Sequence, residues 1–537
     1  MTRFISTSTA DEAILHDDCY LPHFRQCLEQ GGAESLMSAY NKVNGEHCGE
    51  NKYLLDTVVR SIWGMEDIVI TSDWMFGFRD VPRSIKAGLD VEMPYRGMRA
   101  KHLAAAVAAD KPVGTVAVAV ADIDRIAKRI IRMVLNYHAR IALTDKPPPP
   151  PTESIIHAPA HRQLAKQAAI EGTVVLSNDA GLLPLRNVKR LLVVWTSSDI
   201  DSNRGQRNQE SSPRFSTEPM ILPLSRRACE EADAVFVLAG YTGEDEGEGG
   251  IDKDGLKPEM IATVLPQWFP FTVMARLALW TLFKMISLMF LFKGKRSTPR
   301  LGGDRSTLRL TEADEKIVMT VSQVAGEKLV LGLEVSGPVI LLAQVRADTA
   351  AIIITGYGGC EFGNTLREVL PIRSSTVVSG DTGYCSRKKR QAAYPFGYGR
   401  GYGIVDFVPG SFVVPPKLDG RFFDVTVSVR NVGDHETTHV IQIYAGATKR
   451  DNAVDYERAL VGFARIKLQV GEKGSCTVQC RMDPVSHYNT KTREFDVAQG
   501  DYHLIASSYE GDEEGLVTVV EAPWFSWSAQ VQKKQQE

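Results

Sequence analysis

Ser35-Leu36-Met37-Ser38-Ala39-Tyr40 and, further on, Asp67-Ile68-Val69-Ile70-Thr71-Ser72-Asp73-Trp74 decide how the front of this chain folds. Each opens as an apolar run of strand length. Between them, residues 53–63 carry Leu54, Leu55, Val58 and Ile62 at helical spacing, because side chains three and four apart share a helix face. Strand, helix and strand in that order predict parallel βα units. A further amphipathic stretch, 123–135, closes this section.

Beyond it, five prolines, Pro147 to Pro151, force a stiff, extended connector. A second α/β region follows, with a helix at 164–170 and strands at 173–176, 191–194, 234–238, 329–331 and 351–354. Their nearly continuous apolar runs suit a sheet covered on both faces. From about 411 the period changes to two: Phe423, Val425, Val427 and Val429 alternate with polar residues. Short strands at 440–444, 475–480 and 502–506 continue the pattern, which reads as a β-sandwich. The apolar run 268–292 fits neither pattern. It is long enough to cross a bilayer, but Arg276 and Lys284 would each cost about 3 kcal/mol at mid-membrane. It reads as an insertion, and no membrane partner is expected.

The 537 residues are too many for one core and predict about three domains. A net charge of −3 provides no field for nucleic acid. The eight cysteines include no CxxC pair, and Cys476 and Cys480 share a strand face without forming a metal cage, so they read as free thiols. No metal or cofactor is expected. Residues 1–18 contain no apolar leader core, so the cytoplasm is the expected compartment, or secretion if a leader precedes Met1.

The run Met37 to Gly45 with Asn51-Lys52-Tyr53-Leu54-Leu55, then Ile70-Thr71-Ser72-Asp73-Trp74, then Ala87-Gly88-Leu89-Asp90-Val91-Glu92-Met93-Pro94 resembles glycoside hydrolase family 3. In order and spacing these look like the last three strands of that family's (β/α)8 barrel. His161-Arg162 through Leu182-Leu183-Pro184-Leu185 resembles the opening of its α/β sandwich. Tyr241 to Glu248 and Gly302 to Arg305 look like one family loop, split here by the apolar insertion. Gly358 to Asn364 resembles the acid/base loop and Tyr394-Pro395-Phe396-Gly397-Tyr398-Gly399 a family turn. Leu460 to Phe463 and Gly500-Asp501-Tyr502 resemble the fibronectin-III-like domain that ends many members. The resemblance implies an α/β multidomain protein: a partial barrel at 1–145, a linker at 146–157, an α/β sandwich at 158–410 with an insertion at 265–296, and a fibronectin-III-like β-sandwich at 411–537.

It also implies a retaining β-glycosidase of β-glucosidase type, acting on a β-glucoside or oligosaccharide. Such hydrolysis needs two carboxyl groups roughly 5–5.5 Å apart. By resemblance, Asp73 is the nucleophile, at a strand end where a barrel presents its catalytic groups, and Glu361 is the acid/base. Trp74 would form a platform under the sugar, Tyr40 a subsite hydroxyl and Met37 a pocket wall. The bland readings are a loop aspartate capping the next helix for Asp73, a solvated loop glutamate for Glu361 and a packed core aromatic for Trp74. The acidic cluster Glu244, Asp245, Glu246 and Glu248 reads as a solvated loop, without metal-ligand spacing. The five earlier barrel strands of the family, with their sugar-gripping residues, have no counterpart here, so the expectation is an N-terminally truncated chain. A non-catalytic carbohydrate-binding homologue is the other open reading. The sugar, its linkage and the oligomeric state stay open.

Overall fold

A computed structural model describes residues 6–17, 20–74, 77–94, 97–108, 117–142, 158–195, 226–241, 281, 307–335, 337–357, 365, 370, 393–448 and 458–531. At the front, strands Ser35–Met37 and Val69–Thr71 pair in parallel, Met37 opposite Thr71. Thr71 makes a further parallel bridge to Val91 on its other side. Three chain segments therefore run side by side in one direction. The expected strand 35–40 ends at Met37, although Ser38 N still donates to Thr71 O at 2.9 Å.

The crossover between the two strands is helix Tyr53–Ile62, which buries Leu55, Val58, Val59 and Ile62. It differs from an ordinary α-helix: Trp63 N reaches five residues back, to Val58 O, at 2.9 Å, which is π-type winding. Helix Val81–Ala87 is short because its sequence marks both ends. Asp80 Oδ1 accepts from Arg83 N at 2.8 Å, Pro82 lies in the first turn, and Gly88 closes the helix at φ 101°. The 123–135 stretch is the middle of helix Val120–Ala142, with Ile123, Ile126 and Ile130 turned to the core.

Beneath the strands lies a buried carboxylate. Asp90 Oδ2 accepts from Arg60 Nη2 at 2.9 Å and from Ile70 N at 2.8 Å. Its Oδ1 accepts from Arg129 Nε at 2.8 Å. Helix Tyr53–Ile62, strand Val69–Thr71 and helix Val120–Ala142 thus meet on one side chain.

The second unit is a five-stranded sheet in the order Val174–Ser177, Ala351–Ile354, Leu329–Glu334, Ala234–Gly240, Leu191–Trp195. Only Val174–Ser177 runs antiparallel to its neighbour. Along Ala234–Gly240, Val235 and Val237 pack on one face with Val318 and Val321 of helix Glu312–Ala325. Phe236 and Leu238 pack on the other with Leu183 and Leu370. Both faces are covered, which is why these strands carry no alternation.

The third unit is a β-sandwich. Strand Phe422–Asn431 pairs antiparallel with Lys473–Arg481 and points Val425, Val427 and Val429 inward. The facing sheet has the order Ala459–Leu468, Thr437–Ala447, Gly500–Ser507, Leu516–Ala522. Cys480 is buried and Cys476 half-buried on the same face, and the five described cysteines are free.

A small antiparallel sheet, His487–Asn489, Glu494–Val497 and Phe525–Ser528, joins this unit to the first. Its Tyr488 and Phe495 enter the same core cluster as Val58 and Trp63. Arg421 clamps both oxygens of Glu29 at 2.7 Å and also reaches Asp483 at 2.7 Å. His16 stacks on Tyr488 with ring centroids 3.8 Å apart. Toward the second unit, Gln442 Nε2 donates to Gly397 O at 3.0 Å and Arg465 pairs with Glu171 at 2.5 Å.

Two outcomes follow from these contacts. Replacing Asp90 by Asn leaves buried Arg60 and half-buried Arg129 without their counter-charge, and should lower stability by roughly 3–5 kcal/mol in urea unfolding. Burial, with the Arg25 charge adding to it, lowers His16 to about 4, and burial lowers His439 likewise to about 4. The unfolded chain then binds protons that the folded chain refuses, so stability is full above about pH 6.5 and falls as pH drops toward 4. His16→Phe should flatten roughly half of that fall, as read from urea midpoints across this window.

Candidate active site

The candidate residues gather at one end of the parallel segments. Met37 ends its strand, and Tyr40 follows three residues later. Asp73 and Trp74 follow Val69–Thr71 after one intervening residue. Asp73 is half-buried and accepts from Trp74 N at 2.7 Å through Oδ1. The helix-capping role that an isolated aspartate here would be given belongs to Asp80 instead. Trp74 is 55% exposed, so it is not a core aromatic; Met37 is equally open at 55%. Tyr40 is half-buried, with its carbonyl 3.2 Å from His47 Nδ1. Glu361 lies outside the described residues, as do the acidic cluster 244–248 and all of the 268–292 run except Thr281.

The described residues of the loop bearing Asp73 are held at three points. At its entry, Ser72 is buried, its N donates to Val91 O at 2.8 Å, and its Oγ accepts from Met93 N at 2.9 Å. In the middle, Gly77 folds back on the aspartate: a Cβ there would lie 2.7 Å from Asp73 O and 2.8 Å from Asp73 N. At its exit, Glu50 Oε1 accepts from the backbone amides of Arg79 and Asp80, the latter at 2.7 Å. Burial pushes the Glu50 carboxyl up, and the two amides draw it back. The sequence pattern assigns no role to Glu50 or Asp90. Asp90 sits inside a matched motif, whereas nothing in Cys48-Gly49-Glu50 marks the glutamate. Among the described residues, no group of three or more His, Cys, Asp or Glu side chains could hold a metal ion. Among them, too, no helix is long and apolar enough to cross a membrane.

Two stretches match described families: residues 6–133 match "Glycosyl hydrolase family 3 N terminal domain" and 439–508 match "Fibronectin type III-like domain". Over these stretches the chain is similar to glycoside hydrolase family 3. A relative, thermostable beta-glucosidase B of Acetivibrio thermocellus, is 23% identical over 538 residues, covering 94% of this chain and 65% of its own length. An exo-alpha-(1->6)-L-arabinopyranosidase of Bifidobacterium breve is also 23% identical, with the same two shares. The chain therefore spans just under two thirds of these relatives. The beta-glucosidase of Kluyveromyces marxianus solved with glucose has a similar fold, with a TM-score of 0.72 at 16% identity over 98% of this chain and 81% of that one. Sheets, helices and the C-terminal fibronectin-III-like domain thus follow the family 3 β-glucosidase fold.

Any side chain at 77 must displace the backbone of Asp73. Gly77→Ala should lower stability by roughly 1–3 kcal/mol, measured by thermal or urea unfolding.

Proposed function

We propose that this chain carries the site of a retaining β-glycosidase of β-glucosidase type, taking a terminal β-linked sugar of a glucoside or oligosaccharide. The observation that carries this reading is the Asp73 carboxylate, half-buried at a strand end beside the exposed ring of Trp74. In this reading Asp73 attacks the anomeric carbon, and Glu361 protonates the leaving oxygen and later activates water, the two-step exchange that retains configuration. Trp74 offers its face to the C–H face of the sugar, and Met37 and Tyr40 wall the same subsite. The parallel alignment of Met37, Thr71 and Val91 supports assigning the first unit, 1–145, to the closing part of a (β/α)8 barrel. The proline connector 146–157 then leads to an α/β sandwich at 158–410 and the fibronectin-III-like domain at 411–537. The names of the relatives cover both glucosides and arabinopyranosides, so the sugar is the finer choice within this proposal.

The test is turnover of an aryl β-glucoside by the full chain. Asp73→Asn should remove it, and Glu361→Gln should slow a poor leaving group far more than an activated one. Glucose binding that survives in a chain without any turnover would overturn hydrolysis and leave a carbohydrate-binding homologue.

A further inference from the structure

We propose that Glu50 is a positioning residue for Asp73, and that the segment His47 to Glu50 braces the Asp73 loop against the Tyr40 loop; this rests on Asp73 acting as the nucleophile. The segment touches both loops. On the Tyr40 side, His47 Nδ1 lies 3.2 Å from Tyr40 O and Cys48 N donates to Asn41 O at 3.0 Å. On the Asp73 side, Gly49 lies so close to the Gly77 carbonyl that a Cβ would collide with it. Gly77 in turn lies on the backbone of Asp73. Glu50 completes the contact by accepting two successive amides, Arg79 and Asp80, with one oxygen.

Two amides on one acceptor fix the direction of the chain where the loop becomes helix Val81–Ala87. The loop entry at Ser72 is already tied to Val91 and Met93. With both ends and the middle held, Asp73 has little freedom to move along the line of attack. Glu50 is the side chain that makes this hold depend on the Tyr40 loop, so the two sugar-facing groups keep one mutual geometry. Its contribution is to orientation, where an error of about 1 Å can cost roughly a hundredfold in rate.

The experiment uses the full chain and 2,4-dinitrophenyl 2-deoxy-2-fluoro-β-D-glucoside. A carboxylate oxygen of Asp73 bonds to the anomeric carbon as the bond to dinitrophenolate breaks, so phenolate release and a mapped peptide label report the same step. Glu50→Ala should label roughly a hundredfold more slowly, while Glu50→Gln, which keeps the acceptor oxygen, should label close to the wild-type rate. Ile62→Val, a core truncation, should also stay close to wild type where circular dichroism shows every variant folded. Labelling of Glu50→Ala at the wild-type rate, or slowing no greater than in Ile62→Val, overturns the proposal. If Glu50→Ala does not fold, Glu50→Asp carries the same test: it keeps the charge but draws the oxygen back by one methylene, and wild-type labelling in it overturns the proposal. A wild-type chain that releases no phenolate, or is labelled elsewhere than Asp73, overturns the nucleophile assignment itself.

Discussion

The front of the molecule is organised around the carboxylate of Asp90. It is buried, and it satisfies Arg60 from one helix, Arg129 from another and the Ile70 amide of the strand that leads to Asp73. A buried charge is tolerated only when it is paired and hydrogen-bonded on every side. Here the requirement also sets position, because Ile70 can reach Asp90 in only one register against its neighbours. The adjoining residues Val91 and Met93 then receive Ser72. A chain of polar contacts thus runs from a buried ion cluster to the residue next to the candidate nucleophile.

The C-terminal β-unit extends this logic across the molecule. It is bound to the first unit through Glu29, Arg421 and Asp483, and through aromatic side chains that complete the core around Trp63. Burial alone would raise Asp483, but the hydrogen bonds of Arg481 and Arg421 hold it at about 2, so this clamp stays charged through the whole neutral range. The same unit meets Gly397 and, at the end of helix Pro159–Gly172, Glu171 of the α/β unit. The proposed pairing of Asp73 with Glu361 would need such a common support, since orientation between reacting groups is where much catalytic power lies.

Much of the secondary structure is legible in the sequence. Local patterning places the strands at 69–71, 174–177, 234–240 and 422–431 within a few residues, because burial on one face or two imposes a period on the residues themselves. The proline run and the change to alternation near 411 are where the sequence itself changes pattern. Asp73 was legible as chemistry only with its neighbours, as one of several motifs in a fixed order.

Other features depended on the assembled fold. That Trp74 faces solvent, that Asp80 and not Asp73 caps the helix, and that Val174–Ser177 runs against its sheet are outcomes of packing between distant segments. Glu50 and Asp90 act on residues 20 to 30 positions away, and no local propensity carries that pairing. Periodicity along the chain encodes which residues are buried; which buried charge meets which amide is decided only when helices and strands close on one another.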